Sequence, residues 1–172
     1  MRSHINENVL EHTALVAQIA HGLAVIKNKF FGGNVNAERV AVIALYHDAS
    51  EVITGDLPTP IKYFNMELNS AFKDLEDKAS EKLLNMLPSE LAQEYKDIML
   101  PCTLSEEYKI VKSADKLSAY IKCIEEVNSG NKEFTKALKA TETALKKSEL
   151  PEVKYFLDNF IKGFTVTLDE MD

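Results

Sequence analysis

Residues 36–60 read NAERVAVIALYHDASEVITGDLPTP, and this stretch decides the fold class. A helix is predicted to begin after Asn36, because Asn is a good N-cap residue and the apolar residues that follow have helical spacing. The helix is expected to stop at Gly55, since the two prolines beyond it cannot extend a helix. Its inward face reads, in order, Val40, Ala41, Ala44, Leu45, Asp48 and Val52. An apolar face that turns polar partway along needs a chemical explanation.

The rest of the chain also has helical periodicity. Helices are predicted from Glu7 to about Lys29, from about Phe64 to Leu87, in a short segment opened by Pro88, from Ser105 to Val127, and in one or two further segments split before Pro151. No stretch shows a convincing strand alternation. The sequence therefore predicts an all-α fold of about six or seven helices.

Composition and charge narrow the class of protein. The 172 residues fit one ordinary domain, predicted over 1–172, and 45 % hydrophobic with 27 % charged residues is typical of a soluble globular chain. A net charge of -7 disfavours a nucleic-acid polymer as partner. The two cysteines, Cys102 and Cys123, form no metal-binding or disulfide pattern, and no apolar run or signal peptide predicts a membrane partner. A cytoplasmic location is expected.

Three of the predicted helices place a histidine or an aspartate on the stripe that faces the core. These are His12 in the first helix, the adjacent His47 and Asp48 in the second, and Asp115 in the helix that begins at Ser105. A single inward histidine is more often a satisfied core residue than a ligand. Burying a carboxylate costs several kcal/mol unless it is paired or bound to a metal, so three helices with the same feature favour a shared metal site.

The residue types indicate which metals would suit this site. Two imidazoles and two carboxylates, without a thiolate, are suitable ligands for Mn, Fe, Co, Ni or Zn. They are not the ligands of a structural zinc site of the cysteine type. Four protein ligands leave positions open on an octahedral ion for water and a phosphoryl oxygen. The arrangement is suited to metal-assisted hydrolysis.

Glu51 and the loop after it are further candidates. On a helix, Glu51 lies four residues after His47, which makes it either a surface glutamate or a general acid or base beside the metal. Asp56, Leu57, Pro58 and Thr59 form a stiff segment that is either a plain helix stop or a preorganised wall for a substrate. The residues alone leave both alternatives open.

The H…HD…D constellation resembles the HD-domain phosphohydrolase superfamily. Residues 7–13, ENVLEHT, and residues 31–65 are similar to segments of the bacterial 5'-deoxynucleotidases of the YfbR type, and the string HDASEVITGDLPTPIKY at 47–63 is highly specific. Similarity continues at 111–115, 120–123 and 167–170, so the resemblance covers nearly the whole chain.

The resemblance implies an HD-domain helical bundle around a buried metal site, often in a homodimer. It implies hydrolysis of deoxyribonucleoside 5'-monophosphates with one divalent ion, Co, Mn or similar. It assigns the ligand role to His12, His47, Asp48 and Asp115. It assigns substrate contact to Asp48, Asp115 and the loop of Asp56, Leu57, Pro58 and Thr59. It also implies a catalytic role for Glu51, and Asp56 is a second candidate for proton transfer.

One feature of the family has no counterpart in this sequence. Members begin further upstream, with a helix that carries an Arg-Trp pair, and this chain contains no Trp. The chain is therefore expected to lack the groups that orient the phosphate and pack against the sugar. The alternatives are another HD reaction, such as triphosphohydrolase or phosphodiesterase activity, a catalytically impaired nucleotide-binding protein, and a purely structural helical module.

Overall fold

The structure, a computed structural model, describes residues 3–4, 6–57 and 65–166. Over these residues its regular secondary structure is helical, with no strand, which confirms the predicted all-α class. The α-helices are α1 (Val9–Phe30), α2 (Ala37–Tyr46), α3 (Glu51–Thr54), α4 (Met66–Leu84), α5 (Ser89–Met99), α6 (Glu106–Asn128), α7 (Thr135–Lys146) and α8 (Pro151–Asn159), with short 3₁₀ helices at Lys132–Phe134 and Ile161–Phe164. The prediction of a single domain over 1–172 stays a prediction.

Helix starts follow from side chains that satisfy the free backbone N–H groups of the first turn. Asn8 and Glu11 form a reciprocal capping box at the start of α1. Asn36 caps α2 and Ser105 caps α6 in the same manner. These caps place the first residues of the helices within two residues of the predicted positions.

The core lies where α1, α2 and α6 pack against one another, with α7 and α8 closing one side. Its fully buried side chains include Val16, Leu23, Val40, Leu117 and Val153. Because α1 and α6 are the two longest helices and both run through this core, they hold the residues near their middle turns rigidly. Asp115 projects from a middle turn of α6, whereas His12 projects from the first turn of α1.

Helices α4 and α5 form a hairpin outside this core. None of their residues belongs to the main cluster of buried apolar side chains, and α5 has no buried residue. Tyr95 of α5 packs edge-on against Tyr46 at the end of α2, with ring centroids 5.8 Å apart. The hairpin therefore contacts the body of the protein beside the segment that holds His47.

Hydrogen bonds and an ion pair hold residues before α1 against α6. The fully buried carboxylate of Glu126 accepts hydrogen bonds from Ser3, from the backbone N–H of His4 at 3.0 Å and from Asn131 at 2.7 Å. About one helical turn away on α6, Lys122 pairs with Glu7 at 2.6 Å. These contacts fix the direction in which the chain enters α1, and thus the height of His12 beside α6.

The second helix is shorter than predicted. It ends at Tyr46, and the chain continues through tight turns in which Ala49 N–H bonds to Tyr46 and Glu51 N–H bonds to Asp48, at 3.1 and 2.9 Å. The physical reason is that the Ala44 carbonyl accepts from the backbone and the ring of His47, whereas in a continuing α-helix it would accept from the residue four positions on. Hence His47 and Asp48 lie in a turn, and Glu51 begins a separate short helix.

Some residues predicted to face inward are exposed. Leu45 and Val52 are 46 % and 79 % exposed. The break at residue 47 rotates Val52 away from the predicted face, whereas Leu45 precedes the break and lies on α2 outside the buried face of Val40, Ile43 and Ala44. Other large apolar residues are exposed near a helix end or on the α4–α5 hairpin, among them Val9, Leu75 and Met86.

One described helix, α1, is long and apolar enough to cross a membrane. Its most apolar window has a mean hydropathy of 1.4, and 44 % of that window is buried. This is weak evidence, because core helices of soluble proteins and signal sequences have the same length and composition. Ala20, Leu23 and Ala24 lie fully inside the core.

Candidate metal centre

Four side chains from three parts of the chain converge beside the core. Nε2 of His12 lies 3.5 Å from Oδ2 of Asp48 and 3.3 Å from Oδ1 of Asp115. Nε2 of His47 lies 3.1 and 3.9 Å from the same two oxygens. The two imidazole rings have their centroids 5.5 Å apart. The structure thus brings together all four residues that the sequence predicts as metal ligands.

The ring of His47 is held in one orientation. Its Nδ1 lies 2.7 Å from the carbonyl oxygen of Ala44, and a carbonyl can only accept, so Nδ1 carries a proton. Nε2 is buried with no hydrogen-bond partner, and whenever the ring is neutral this atom carries a lone pair. A lone pair that faces the Asp48 carboxylate at 3.1 Å is unfavourable unless a cation lies between them.

Burial and charge compete at His12. Burial acts to lower the pKa of His12, but the hydrogen bond and charge of Asp115, together with the charges of Asp48 and Glu7, outweigh it and raise the pKa above its ordinary value. In the absence of a metal, a proton on His12 partly offsets the two carboxylates.

The carboxylates remain ionised in spite of their surroundings. Burial acts to raise the pKa of Asp48, but when the His47 ring is protonated its hydrogen bond and charge lower that pKa below the ordinary value. Burial likewise opposes ionisation of Asp115, and the hydrogen bond from His12 together with the charge of Lys112 lowers its pKa. Two ionised carboxylates so close together repel each other, and this arrangement favours a divalent cation.

The spacing of the donor atoms fits a metal ion. Ligand atoms of His12, His47 and Asp115 all lie within 4.8 Å of one another. Atoms at about 2.0–2.1 Å from one ion are separated by about 3.0–3.4 Å when they are neighbours in octahedral or tetrahedral coordination. Two of the four nitrogen-to-oxygen distances, 3.1 and 3.3 Å, lie within this range, and the other two, 3.5 and 3.9 Å, are longer. These residues could therefore hold one ion with little rearrangement.

The raised pKa of His12 predicts how the stability of the metal-free protein depends on pH. A group whose folded pKa is raised adds stability below its unfolded pKa, about 6.5 for histidine, and this contribution is lost as pH rises through the folded pKa. We expect the melting temperature of chelator-treated protein to fall as pH is raised upward from about 6. Thermal melts of wild type and of His12→Gln check this, and equal slopes for both would contradict it.

The remaining predicted site residues are Glu51 and the four residues of the loop that follows Gly55. Glu51 is half-buried at the start of α3, and its backbone N–H bonds to Asp48. Asp56 is exposed and Leu57 half-buried in the segment after Gly55, whose φ of 68° ends α3. Pro58 and Thr59 lie outside the described residues. The roles of these five residues stay predictions.

Two groups that support the ligands are not among the residues predicted from the sequence. Ser118, which is 1 % exposed on α6, places its Oγ atom 3.4 Å from Nδ1 of His12. Its signal in the sequence is a small polar residue three positions after Asp115 and therefore on the same helix face. The Ala44 carbonyl has no signal of this kind, because every residue has one.

The fold and the site are those of an HD-domain protein. A crystal structure of an HD-domain phosphohydrolase from Listeria innocua superposes with a TM-score of 0.83 at 25 % identity, over 95 % of this chain and 79 % of that one. A conserved hypothetical protein from Pyrococcus furiosus superposes with a TM-score of 0.69 at 28 % identity, over 94 % and 84 % of the two chains. HD-domain phosphohydrolases are metal-dependent, and the histidine and aspartate cluster is where an ion could bind.

Sequence comparison defines the family more narrowly. The model of the YfbR-like 5'-deoxynucleotidase family matches residues 1–164. The 5'-deoxynucleotidases of Vibrio vulnificus and Photorhabdus laumondii are 51 % and 50 % identical over 99 % of this chain, and over 89 % and 87 % of their own lengths. The chain belongs to the YfbR-like 5'-deoxynucleotidase family, as the resemblance predicted.

Proposed function

We propose that this protein is a metal-dependent 5'-deoxynucleotidase, which hydrolyses deoxyribonucleoside 5'-monophosphates to deoxynucleoside and phosphate. The observation that carries the metal requirement is the His47 ring, whose Nδ1 is bound to Ala44 and whose buried Nε2 lies 3.1 Å from the Asp48 carboxylate. Relatives that share about half of the sequence are named 5'-deoxynucleotidases. One divalent ion, Co²⁺, Mn²⁺ or similar, is assigned to His12, His47, Asp48 and Asp115.

The charges of the site suit a phosphate monoester. When bound, a divalent ion polarises the phosphoryl group and lowers the pKa of a coordinated water. Asp48 and Asp115 balance the charge of that ion, so the site does not bind a dianion by excess positive charge alone. Asp48 and Asp115 are also assigned to contact the substrate.

Proton transfer is assigned to the two acidic residues that follow the ligands. Glu51 comes three residues after Asp48, and a backbone hydrogen bond of 2.9 Å links the two residues. We assign Glu51 to take the proton of the attacking water, and Asp56 to protonate the leaving 5'-oxygen. Leu57, Pro58 and Thr59, which follow Asp56 directly, are assigned to contact the nucleoside.

The reaction is tested by phosphate release from a panel of deoxy- and ribonucleoside 5'-monophosphates with Co²⁺ or Mn²⁺. We expect release of phosphate and free nucleoside from the deoxy series, with none in the presence of a chelator. Triphosphate or diphosphate as the product of a nucleoside triphosphate, or cleavage of a cyclic diester, would instead favour another HD reaction. Metal and nucleotide binding without phosphate release would favour a nucleotide-binding protein.

Two wider properties belong to the same proposal. The protein is proposed to form a homodimer, which would cover some of the large apolar side chains that are exposed in the described part of the chain, among them Leu10, Met66, Met86 and Leu104. Sedimentation velocity measures the oligomeric state directly.

A cytoplasmic location is supported by the cysteines Cys102 and Cys123, which are both free thiols. Nucleic-acid polymers and membranes are not proposed as partners.

A further inference from the structure

Ser118 is a buried polar residue beside the candidate metal centre. It lies on α6 close to one helical turn beyond Asp115, and its side chain is almost completely inaccessible to solvent. The hydrogen bond of its hydroxyl is to Nδ1 of His12, at 3.4 Å and across 106 residues of sequence. A buried serine that reaches another helix in this manner links α6 to the first turn of α1.

The two nitrogens of His12 have different surroundings. Nε2 faces the oxygens of Asp48 and Asp115, whereas Nδ1 faces Ser118. A neutral imidazole that binds a cation through Nε2 must keep its proton on Nδ1, and that proton needs an acceptor. For His47, the Ala44 carbonyl is the acceptor of the Nδ1 proton. Ser118 Oγ is the corresponding acceptor for His12.

The position of His12 makes such support necessary. It lies in the first turn of α1, where Val9 and Leu10 are exposed and the helix is not yet enclosed by the core. Packing alone therefore restrains the His12 ring less than it restrains side chains in the middle of α1. A hydrogen bond to a buried group on α6 fixes both the rotation of the ring and its tautomer.

We propose that Ser118 is a positioning residue for the metal centre, whose hydroxyl accepts the Nδ1 proton of His12 and holds Nε2 toward the ion. This rests on the proposed metal site. One helix, α6, then supplies both a ligand, Asp115, and the group that orients a ligand from α1. Partners of this kind typically affect metal affinity tenfold to a hundredfold.

The test is direct titration with Co²⁺ of wild type, Ser118→Ala and Ser80→Ala. Ser80 is a matched control, because it is also a buried serine but lies on α4, which contributes none of the four assigned ligands. We expect Ser118→Ala to raise the Kd for Co²⁺ by about ten- to a hundredfold and Ser80→Ala to leave it within about twofold. Thermal melts of the metal-free proteins show whether either variant is unfolded.

A spectroscopic measurement separates positioning from a general loss of stability. In the Zn²⁺-bound protein, the Nδ1 proton of His12 should give a protected ¹H–¹⁵N signal that exchanges with water much faster in Ser118→Ala. An unchanged Kd and an unchanged exchange rate in Ser118→Ala would overturn the proposal, as would a wild-type chain that binds no metal. If Ser118→Ala weakens metal binding but no nucleotide is hydrolysed, the positioning role stands and the proposed reaction falls.

Discussion

Replacing Asp115 by asparagine is expected to weaken Co²⁺ binding more than about a hundredfold and to abolish phosphate release. A hundredfold is the upper range for a residue that only supports a ligand, and Asp115 is assigned as a ligand itself. Asparagine keeps the shape of the side chain but removes the charge that faces both imidazoles, at 3.3 and 3.9 Å. Isothermal titration with Co²⁺ and a phosphate-release assay measure the two effects.

Two further variants make this result specific. Glu51→Gln is expected to lower the rate strongly while it leaves metal affinity within a few-fold, since Glu51 is assigned to proton transfer and not to the ion. Asp97→Asn, a change of the same kind at an exposed position on α5, should change neither quantity. Full metal affinity in Asp115→Asn would contradict the assigned ligand set, and so would a loss of metal in Glu51→Gln.

Replacing Lys27 by methionine is expected to lower the free energy of unfolding by about 3–5 kcal/mol. Glu152 is completely buried at the start of α8, and its Oε1 pairs with the largely buried Lys27 at 3.4 Å, while its Oε2 makes no hydrogen bond. Without Lys27 the carboxylate would be left in the core without a cation. Denaturant unfolding of the metal-free protein measures the change.

The matched comparison uses an ion pair on the surface. Lys146 and Glu142 are 2.6 Å apart but largely solvated, so Lys146→Met should leave the unfolding free energy nearly unchanged. The double variant Lys27→Met with Glu152→Leu should recover most of the loss, because it removes the buried charge with its partner. A single Lys27→Met variant as stable as wild type would show that Glu152 does not depend on this lysine.

The positions of the helices could be predicted well from the sequence, because their signals are local. Asn8, Asn36 and Ser105 begin helices through contacts with backbone groups two or three residues away. Pro151 stands at the first position of α8, where a missing N–H costs nothing. The helical period of the apolar residues then predicts how far each helix extends.

The shape of the segment around His47 could not be predicted in this way. A continuous helix through Glu51 was expected, whereas α2 stops at Tyr46 and α3 begins at Glu51. The break depends on the hydrogen bond from the His47 ring to the Ala44 carbonyl, and neither helix propensity nor the spacing of apolar residues predicts such a contact. As a result, Val52 is exposed, although the sequence predicts it to face inward.

The sequence by itself determined the all-helical class, the helix starts and the four residues that converge on one site. Their types and their places on apolar stripes are encoded locally. Because burial of unpaired His and Asp side chains is costly, their presence on three helices predicts a common ligand. Only the tertiary structure decided which ring nitrogen faces the carboxylates, that Ser118 and Ala44 support the rings, and that Glu126 fastens the segment before α1. These contacts join residues far apart in the chain or use backbone atoms common to all residues, so their identity depends on the packed fold.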